Sequence, residues 1–435
     1  MKRTLVPLLL LAAGVAVPLA AQERAQVFRG ATLIPVASAP IPNGILVVQG
    51  GKIVAVGGAD TPVPADAEVH DVSGRTIMPG LVDTHSHIGG GDGGDQSAPL
   101  HPSVRILDTI DPRDDGILRA RAGGVTTVNV MPGSGLLMSG QTAYLKLRDG
   151  NAIDDLLFCR DTLREICGGL KMANGTNPRG ATPHPGTRGR AAAIIRDRFI
   201  KARDHRDRVR AAAGDPKKLP ARDLELETLV EVLEGRRTVH FHTHRADDIL
   251  TVLRLAQEFG FRVVLHHVSE GWKVADRIAA ARVPASITVI DAPGGKLEAA
   301  EFSATTGMAL ERAGAEVGLH TDDGITDSRF FLRSAALAVR NGMSREGALR
   351  SVTLAGARIL GMQDRIGSLE RGKDADFVVL SGDPFSVYTH VEQTWIEGRK
   401  LFDRADPEQR KLAVGGYGVF RGGALHVHEG EEGHR

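Results

Sequence analysis

Aromatic side chains are scarce, at 4% of 435 residues, and neither sign of charge prevails: 54 Lys and Arg meet 53 Asp and Glu. A net charge of +1 leaves no basic domain to serve as the electrostatic footprint of a nucleic-acid binder. The one basic run, 188–210, is interleaved with aspartates and nearly free of rings, so it reads as a solvated helix face. Cysteine is almost absent too. Cys159 and Cys167 are too few for a disulfide framework, and stand either as one bridge or as two inert thiols. Past the N-terminal segment no apolar stretch approaches the ~18 residues that argue for a membrane helix. At 42% apolar and 25% charged, the composition excludes a disordered or collagen-like chain. The length fits two or three domains, or one large barrel with an appendage.

Histidine is what the chain has in quantity. There are 16, and half of them fall into tight groups: His85 with His87; His240, His242 and His244; His266 with His267; and His320 beside Thr321-Asp322-Asp323.

The chain opens with Met1-Lys-Arg, an apolar run over 5–19 and the small-residue end Leu19-Ala20-Ala21. This is the layout of a secretory signal peptide at 1–21, and about 15 apolar residues are too few to span a bilayer. The expected protein is therefore exported, periplasmic or secreted, with no membrane partner after cleavage. Losing Lys2 and Arg3 turns its charge slightly acidic.

Residues 26–80 read as short strands, with a hairpin at 44–57 turned by Gly50-Gly51. The style returns at 365–400, which suggests one small β-domain assembled from 22–80 and 361–415. Between them, β-branched runs at 81–87, 125–130, 143–147, 169–173, 238–244, 262–268, 285–290 and 316–321 alternate with helical stretches at 248–259, 274–281, 297–313 and 329–340. Alternation of this kind argues for parallel βαβ units. Eight strands are the count of a (β/α)8 TIM-type barrel, with its chemistry at the C-terminal strand ends. The expectation is an α/β chain: a barrel over 81–360, a small β-sandwich from both chain ends, a helical insertion at 174–236 and a flexible tail at 416–435. The insertion is long enough to serve as a lid or substrate-binding element. Tail residues His426, His428 and His434 read as part of a polar terminus.

His85-Ser-His87 ends the first barrel run, and a spacing of two puts both imidazoles on one face of a strand. The fifth, sixth and eighth runs likewise end in histidine or aspartate. Packing does not require imidazole at four strand ends; metal ligation does, because neutral imidazole suits zinc and similar ions.

Two segments resemble the amidohydrolase superfamily: Gly74-Arg-Thr-Ile-Met-Pro-Gly-Leu-Val-Asp-Thr-His-Ser-His87 and Arg365-Ile-Gly-Ser-Leu-Glu-Arg-Gly-Lys-Asp-Ala-Asp-Phe-Val-Val-Leu380. The likeness spans about 27–400 and is similar to the branch of imidazolonepropionases and prolidase-like metallohydrolases. It implies that His85 and His87 bind the more buried metal, and that His242 and His267 bind a second. Lys171, if carboxylated, would bridge the two. Asp322 would bind the first ion and shuttle the proton. His267 is favoured over His266 because it directly precedes Val-Ser-Glu-Gly, and Asp322 over Asp323 because it directly follows the last strand. The cofactor implied is a divalent metal, zinc by its ligands, with two ions per chain if Lys171 is carboxylated.

The expected activity is hydrolysis of a non-peptide C–N bond, an amide or cyclic amide, in a small-molecule substrate. Asp322 would take a proton from the attacking water and deliver it to the leaving nitrogen. Tyr144 or His244 would polarise the carbonyl, and Arg179 or Arg245 would hold a substrate carboxylate. The alternatives are a prolidase-like dipeptidase, a one-metal deaminase, and a silent barrel kept as a binding protein. A homo-oligomer is compatible with all of them.

Overall fold

The computed structural model describes residues 23–90, 95, 97–98, 100–179, 185–289 and 297–415. The signal segment and the tail histidines lie outside the described residues. Among the described residues, no helix is long and apolar enough to cross a membrane.

The N-terminal strands are β1 (Gln26–Leu33), β2 (Ile41–Gln49), β3 (Lys52–Gly57), β4 (Glu68–Asp71) and β5 (Thr76–Pro79). The central strands are β6 (Leu81–Ser86), β7 (Val125–Val130), β8 (Met138–Gln141), β9 (Ala143–Lys146), β10 (Leu170–Ala173), β11 (Val239–Thr243), β12 (Val263–His267), β13 (Ala285–Ile287) and β14 (Val317–Leu319). Last come β15 (Phe377–Leu380), β16 (Val391–Ile396) and β17 (Arg399–Asp403).

Strands from both chain ends hydrogen-bond into one eight-stranded sheet, ordered β17-β16-β15-β5-β1-β2-β3, with β4 also on β1. The β2–β3 turn needs a left-handed backbone at two successive residues, and glycine supplies it: φ is 57° at Gly50 and 72° at Gly51. Three of the scarce aromatics meet on this sheet. Phe28 meets Phe377 and Trp395 edge-on at 4.9 Å each, over a buried cluster with Leu46, Ile53 and Ile77.

The chain leaves this sheet through Gly80, whose N–H donates to Asp376 O (3.0 Å). A Cβ there would lie 2.3 Å from the Thr126 side chain, so only glycine lets β5 run straight into β6. Strands β10 to β14 form a parallel succession, and β6 pairs parallel with β7. The third strand departs from expectation. It pairs antiparallel on both sides, β9 with β7 and β8 with β10. The reason is the connection: residues 131–137 carry no helix, and a parallel return requires a crossover of a dozen or more residues. At the other edge, Asp322 N donates to His85 O (2.9 Å), next to β6.

The expected helix over 297–313 is also broken, into a 3₁₀ turn at Leu297–Ala299 and a helix at Thr306–Ala313. Ser303 lies between them, its hydroxyl engaged with Thr305 and accepting from Thr305 N, a local bond that competes with helix. The basic run forms the helix Arg188–Ala211, capped by Thr187, which accepts from Arg190 N (3.2 Å). Its buried spine of Ala191, Ile195, Phe199 and Ala202 falls at helical spacing. Phe199 stacks on Phe259 and Phe261 (5.2 and 5.0 Å), leaving the arginines on the outer face.

A buried ion cluster pins β9 to the sheet of the chain ends. Lys146, fully buried, contacts Asp374, Asp376 (3.0 Å) and Glu397 (2.9 Å), while Arg365 also reaches Asp374 (2.8 Å). Removing the cation leaves buried carboxylates without it. Lys146→Met is expected to cost about 3–5 kcal/mol of stability, read as a lower midpoint in urea unfolding. An unchanged midpoint would show that the cluster contributes nothing.

Candidate metal centre

All eight grouped histidines are buried. His85 lies in β6 with His87 just past it, Lys171 in β10, His242 in β11 with His244 just past it, His267 at the end of β12, and Asp322 beyond β14. The Nε2 atoms of His85 and His87 are 3.3 Å apart, and Asp322 Oδ1 is 3.4 Å and 3.1 Å from them. Ligand atoms about 2.0–2.1 Å from a tetrahedral ion are spaced by about 3.3 Å, so these three atoms match one coordination shell. His87 Nδ1 donates to Met131 O (2.8 Å), which leaves its Nε2 as the lone-pair nitrogen. Lys171 Nζ, fully buried, reaches His85 Nε2 and Met131 Sδ, both at 3.1 Å.

A second group lies alongside. The ligating atoms of His242, His244 and His267 fall within 4.8 Å of one another. His267 Nδ1 is 3.8 Å from Asp322 Oδ2, so the groups share an edge. This donor set, imidazoles with a carboxylate, fits a divalent transition ion.

Alternation along a strand sends neighbouring side chains to opposite faces, yet the rings of His266 and His267 both lie 4.9 Å from that of His85. The backbone explains it: φ is 71° at His267 and 41° at Val268, so the strand ends in a left-handed kink. His266 Nε2 bonds His240 Nδ1 (2.9 Å), whereas His267 faces Asp322 and His320 (3.2 Å). Asp322 is left-handed too, at φ 49°. Its neighbour Asp323 turns away to accept from Ser328 N (2.9 Å) and Oγ. Asp83 in β6 is buried and accepts from His85 N and from Thr321 N and Oγ1, tying the first strand to the eighth.

The remaining candidates fall in different places. Tyr144 OH bonds His240 Nε2 (2.8 Å), at the back of the imidazole group. Arg245 forks onto Asp247 (3.0 Å twice) at the surface. Arg179 closes a 3₁₀ turn, Asn177–Arg179, and its buried Nε makes no hydrogen bond among the described residues. Glu298, which belongs to none of the sequence motifs, is buried beside His242 and His244 (3.9 and 4.0 Å). Burial opposes its charge, but the two imidazoles and the Thr176 N–H outweigh it and hold the carboxyl below its usual range. Only its place after the seventh strand hinted at the site. Cys159 and Cys167 form a disulfide.

An α/β scaffold that delivers imidazoles and one aspartate to neighbouring strand ends defines a hydrolase of the amidohydrolase class. The chain belongs to the amidohydrolase family, whose model matches residues 76–401 and whose members are hydrolases acting on carbon–nitrogen bonds. It is 35% identical to the crystal structure of an amidohydrolase from Thermotoga maritima MSB8, with a TM-score of 0.80 over 87% of this chain and 100% of that one. Amidohydrolase tasK of Hapsidospora irregularis is 29% identical over 83% of this chain, which spans 40% of that protein's length. The imidazolonepropionase of Deinococcus radiodurans is 26% identical over 83% of this chain and 92% of its own.

Burial, with Lys171 adding to it, lowers His240 to a pKa of about 3; His320 falls to about 3 mainly through burial. Unfolded histidine titrates near 6.5, so the unfolded chain takes up protons that the folded one refuses. Their contribution is complete above pH ~6.5 and is lost as the pH falls toward ~3. Urea unfolding of metal-stripped protein should therefore show a midpoint that drops steadily through this window. A midpoint flat across it would contradict the buried, neutral imidazoles.

Proposed function

We propose that the chain is an exported, metal-dependent amidohydrolase that hydrolyses a non-peptide C–N bond, an amide or cyclic amide, in a small molecule. The observation that carries this reading is the shared 3.1–3.4 Å spacing of His85 Nε2, His87 Nε2 and Asp322 Oδ1. In this reading the two central sheets close into a (β/α)8 barrel over 81–360, with the insertion at 174–236. Residues 22–80 and 361–415 make the small β-domain. His85, His87 and Asp322 hold one zinc, and His242 and His267 hold a second. A buried ammonium among imidazoles is costly, and carboxylation would turn Lys171 into an anion suited to bridging two cations.

A divalent ion held there supplies Lewis acidity and makes hydroxide available near neutral pH. Asp322 accepts the proton of the attacking water and returns it to the leaving nitrogen. Arg179, whose buried Nε makes no hydrogen bond among the described residues, is placed to hold a substrate carboxylate, and His244 lies on the same face beside His242. Tyr144 supports this face through His240, and Arg245 through the turn it forms with Asp247. The relatives named imidazolonepropionase and deaminase support a small nitrogen compound as substrate. The Cys159–Cys167 bridge supports an oxidising compartment, in keeping with a signal peptide at 1–21.

The test pairs metal analysis of purified protein with a panel of cyclic amides, N-acyl amino acids and X-Pro dipeptides. Turnover of cyclic amides or N-acyl amino acids is expected, with Asp322→Asn lowering kcat by about 10²–10⁴-fold. Near wild-type turnover in Asp322→Asn would remove its role as proton shuttle. Turnover confined to X-Pro dipeptides would replace the reading with a dipeptidase.

A further inference from the structure

We propose that Glu298 and His244 are further ligands of the second cation, beside His242 and His267. This rests on the proposed reading of His242 and His267 as ligands of that ion. It adds two residues that neither the motifs nor the relatives assign.

The argument begins with the two oxygens of Glu298. Oε2 is fixed from outside: it accepts from Thr176 N (2.6 Å) and lies 3.9 Å from Arg188 Nη2, which belongs to a guanidinium already bonded to Asp248 through Nε (2.8 Å). Oε1 faces inward. It lies 3.9 Å from His242 Nε2 and 4.0 Å from His244 Nε2, too far for hydrogen bonding, and among the described residues it makes no hydrogen bond although the side chain is 1% exposed. A buried carboxylate oxygen left in this way is costly unless something fills the gap.

The backbone is arranged to admit this carboxylate. A Cβ on Gly175 (φ 84°) would sit 2.3 Å from Glu298 Oε2, so glycine there opens the space. The break in the expected helix sets Glu298 on its own short turn. On the opposite side, Ser269 Oγ engages His244 Nδ1 (2.7 Å) and holds the ring with Nε2 toward Glu298.

Two imidazole nitrogens lie 3.9 and 4.0 Å from one carboxylate oxygen, and the ligand atoms of these two histidines and His267 fall within 4.8 Å of one another, so imidazoles and a negative charge border one point. Such a point attracts a cation, and an imidazole-rich set selects a transition ion such as zinc over magnesium or calcium. One carboxylate, held by Thr176 N–H and Arg188 from behind, also follows the rule that ligating groups are themselves oriented by hydrogen bonds.

The experiment titrates metal-stripped protein with Zn(II) by calorimetry, and with Co(II) by visible absorption, in wild type, Glu298→Gln and His244→Asn. Wild type should bind two ions. Each variant should keep the first with unchanged affinity and weaken the second by roughly ten- to a hundred-fold, with altered Co(II) bands. Retention of the first ion shows that the variant is folded, and His244→Asn reads the same site should Glu298→Gln fail to fold. Two ions in wild type, with the second bound within threefold as tightly by both variants, would overturn the role of Glu298 and His244 alone. A single ion in wild type would overturn the two-ion reading beneath it.

Discussion

Five of the clustered imidazoles, those of His85, His240, His266, His267 and His320, are held in the uncharged form. Burial sets that condition first. His85, His266 and His267 are pushed well below the usual imidazole range, and Lys171 among them pushes the same way. Much else follows from this neutrality. Neutral imidazole is the form that ligates metal, so the burial that forbids protonation also keeps the donors ready near neutral pH. The protons that remain are placed by hydrogen bonds: Met131 O fixes the His87 tautomer, and Ser286 Oγ engages His320 Nδ1 (2.7 Å).

Bringing so many rings together strains the backbone at the strand ends. A left-handed conformation is unfavourable for a residue with a Cβ, by about 1–2 kcal/mol each, and it occurs at His267, Val268 and Asp322. Strain of this kind persists only where surrounding contacts over-determine it. The contacts are visible: Asp322 N is held by His85 O, Val268 N by Thr243 O, and Thr321 by Asp83. The eighth and sixth strands are thus bent inward by bonds to their neighbours across the rim.

These bends mark the boundary of what the sequence could reveal. All eight central runs form strands, because β-branched runs bounded by turns are a local signal. The His-x-His pair at 85 and 87 was legible for the same reason, since period-two geometry is local. The direction of the third strand was not, as it depends on the missing crossover between β7 and β8. Nor was the convergence of His266 and His267, which plain alternation forbids and one left-handed residue permits. Glu298 was invisible because its partners, Thr176, Arg188, His242 and His244, lie between 54 and 122 residues away in the chain. Periodicity says nothing at that range.

The site therefore has two kinds of wall. Lys171 and His242 sit inside strands paired on both sides, and His85 and His267 at strand positions flanked by a partner on one; positions on strands are held more closely than positions on loops. Arg179, His244 and Glu298 sit on turns or just past strand ends, outside the ladder, and are held by side-chain contacts such as Thr176 N to Glu298 and Ser269 to His244. Chemistry common to a family belongs on the first wall, because it needs donor atoms placed to a fraction of an ångström. Features peculiar to one chain belong on the second, since turns accept substitution without disturbing the ladder. Arg179 and Glu298 both follow the ends of central strands, so the part of the site held outside the ladder lies there, on the turns that follow β10 and β13.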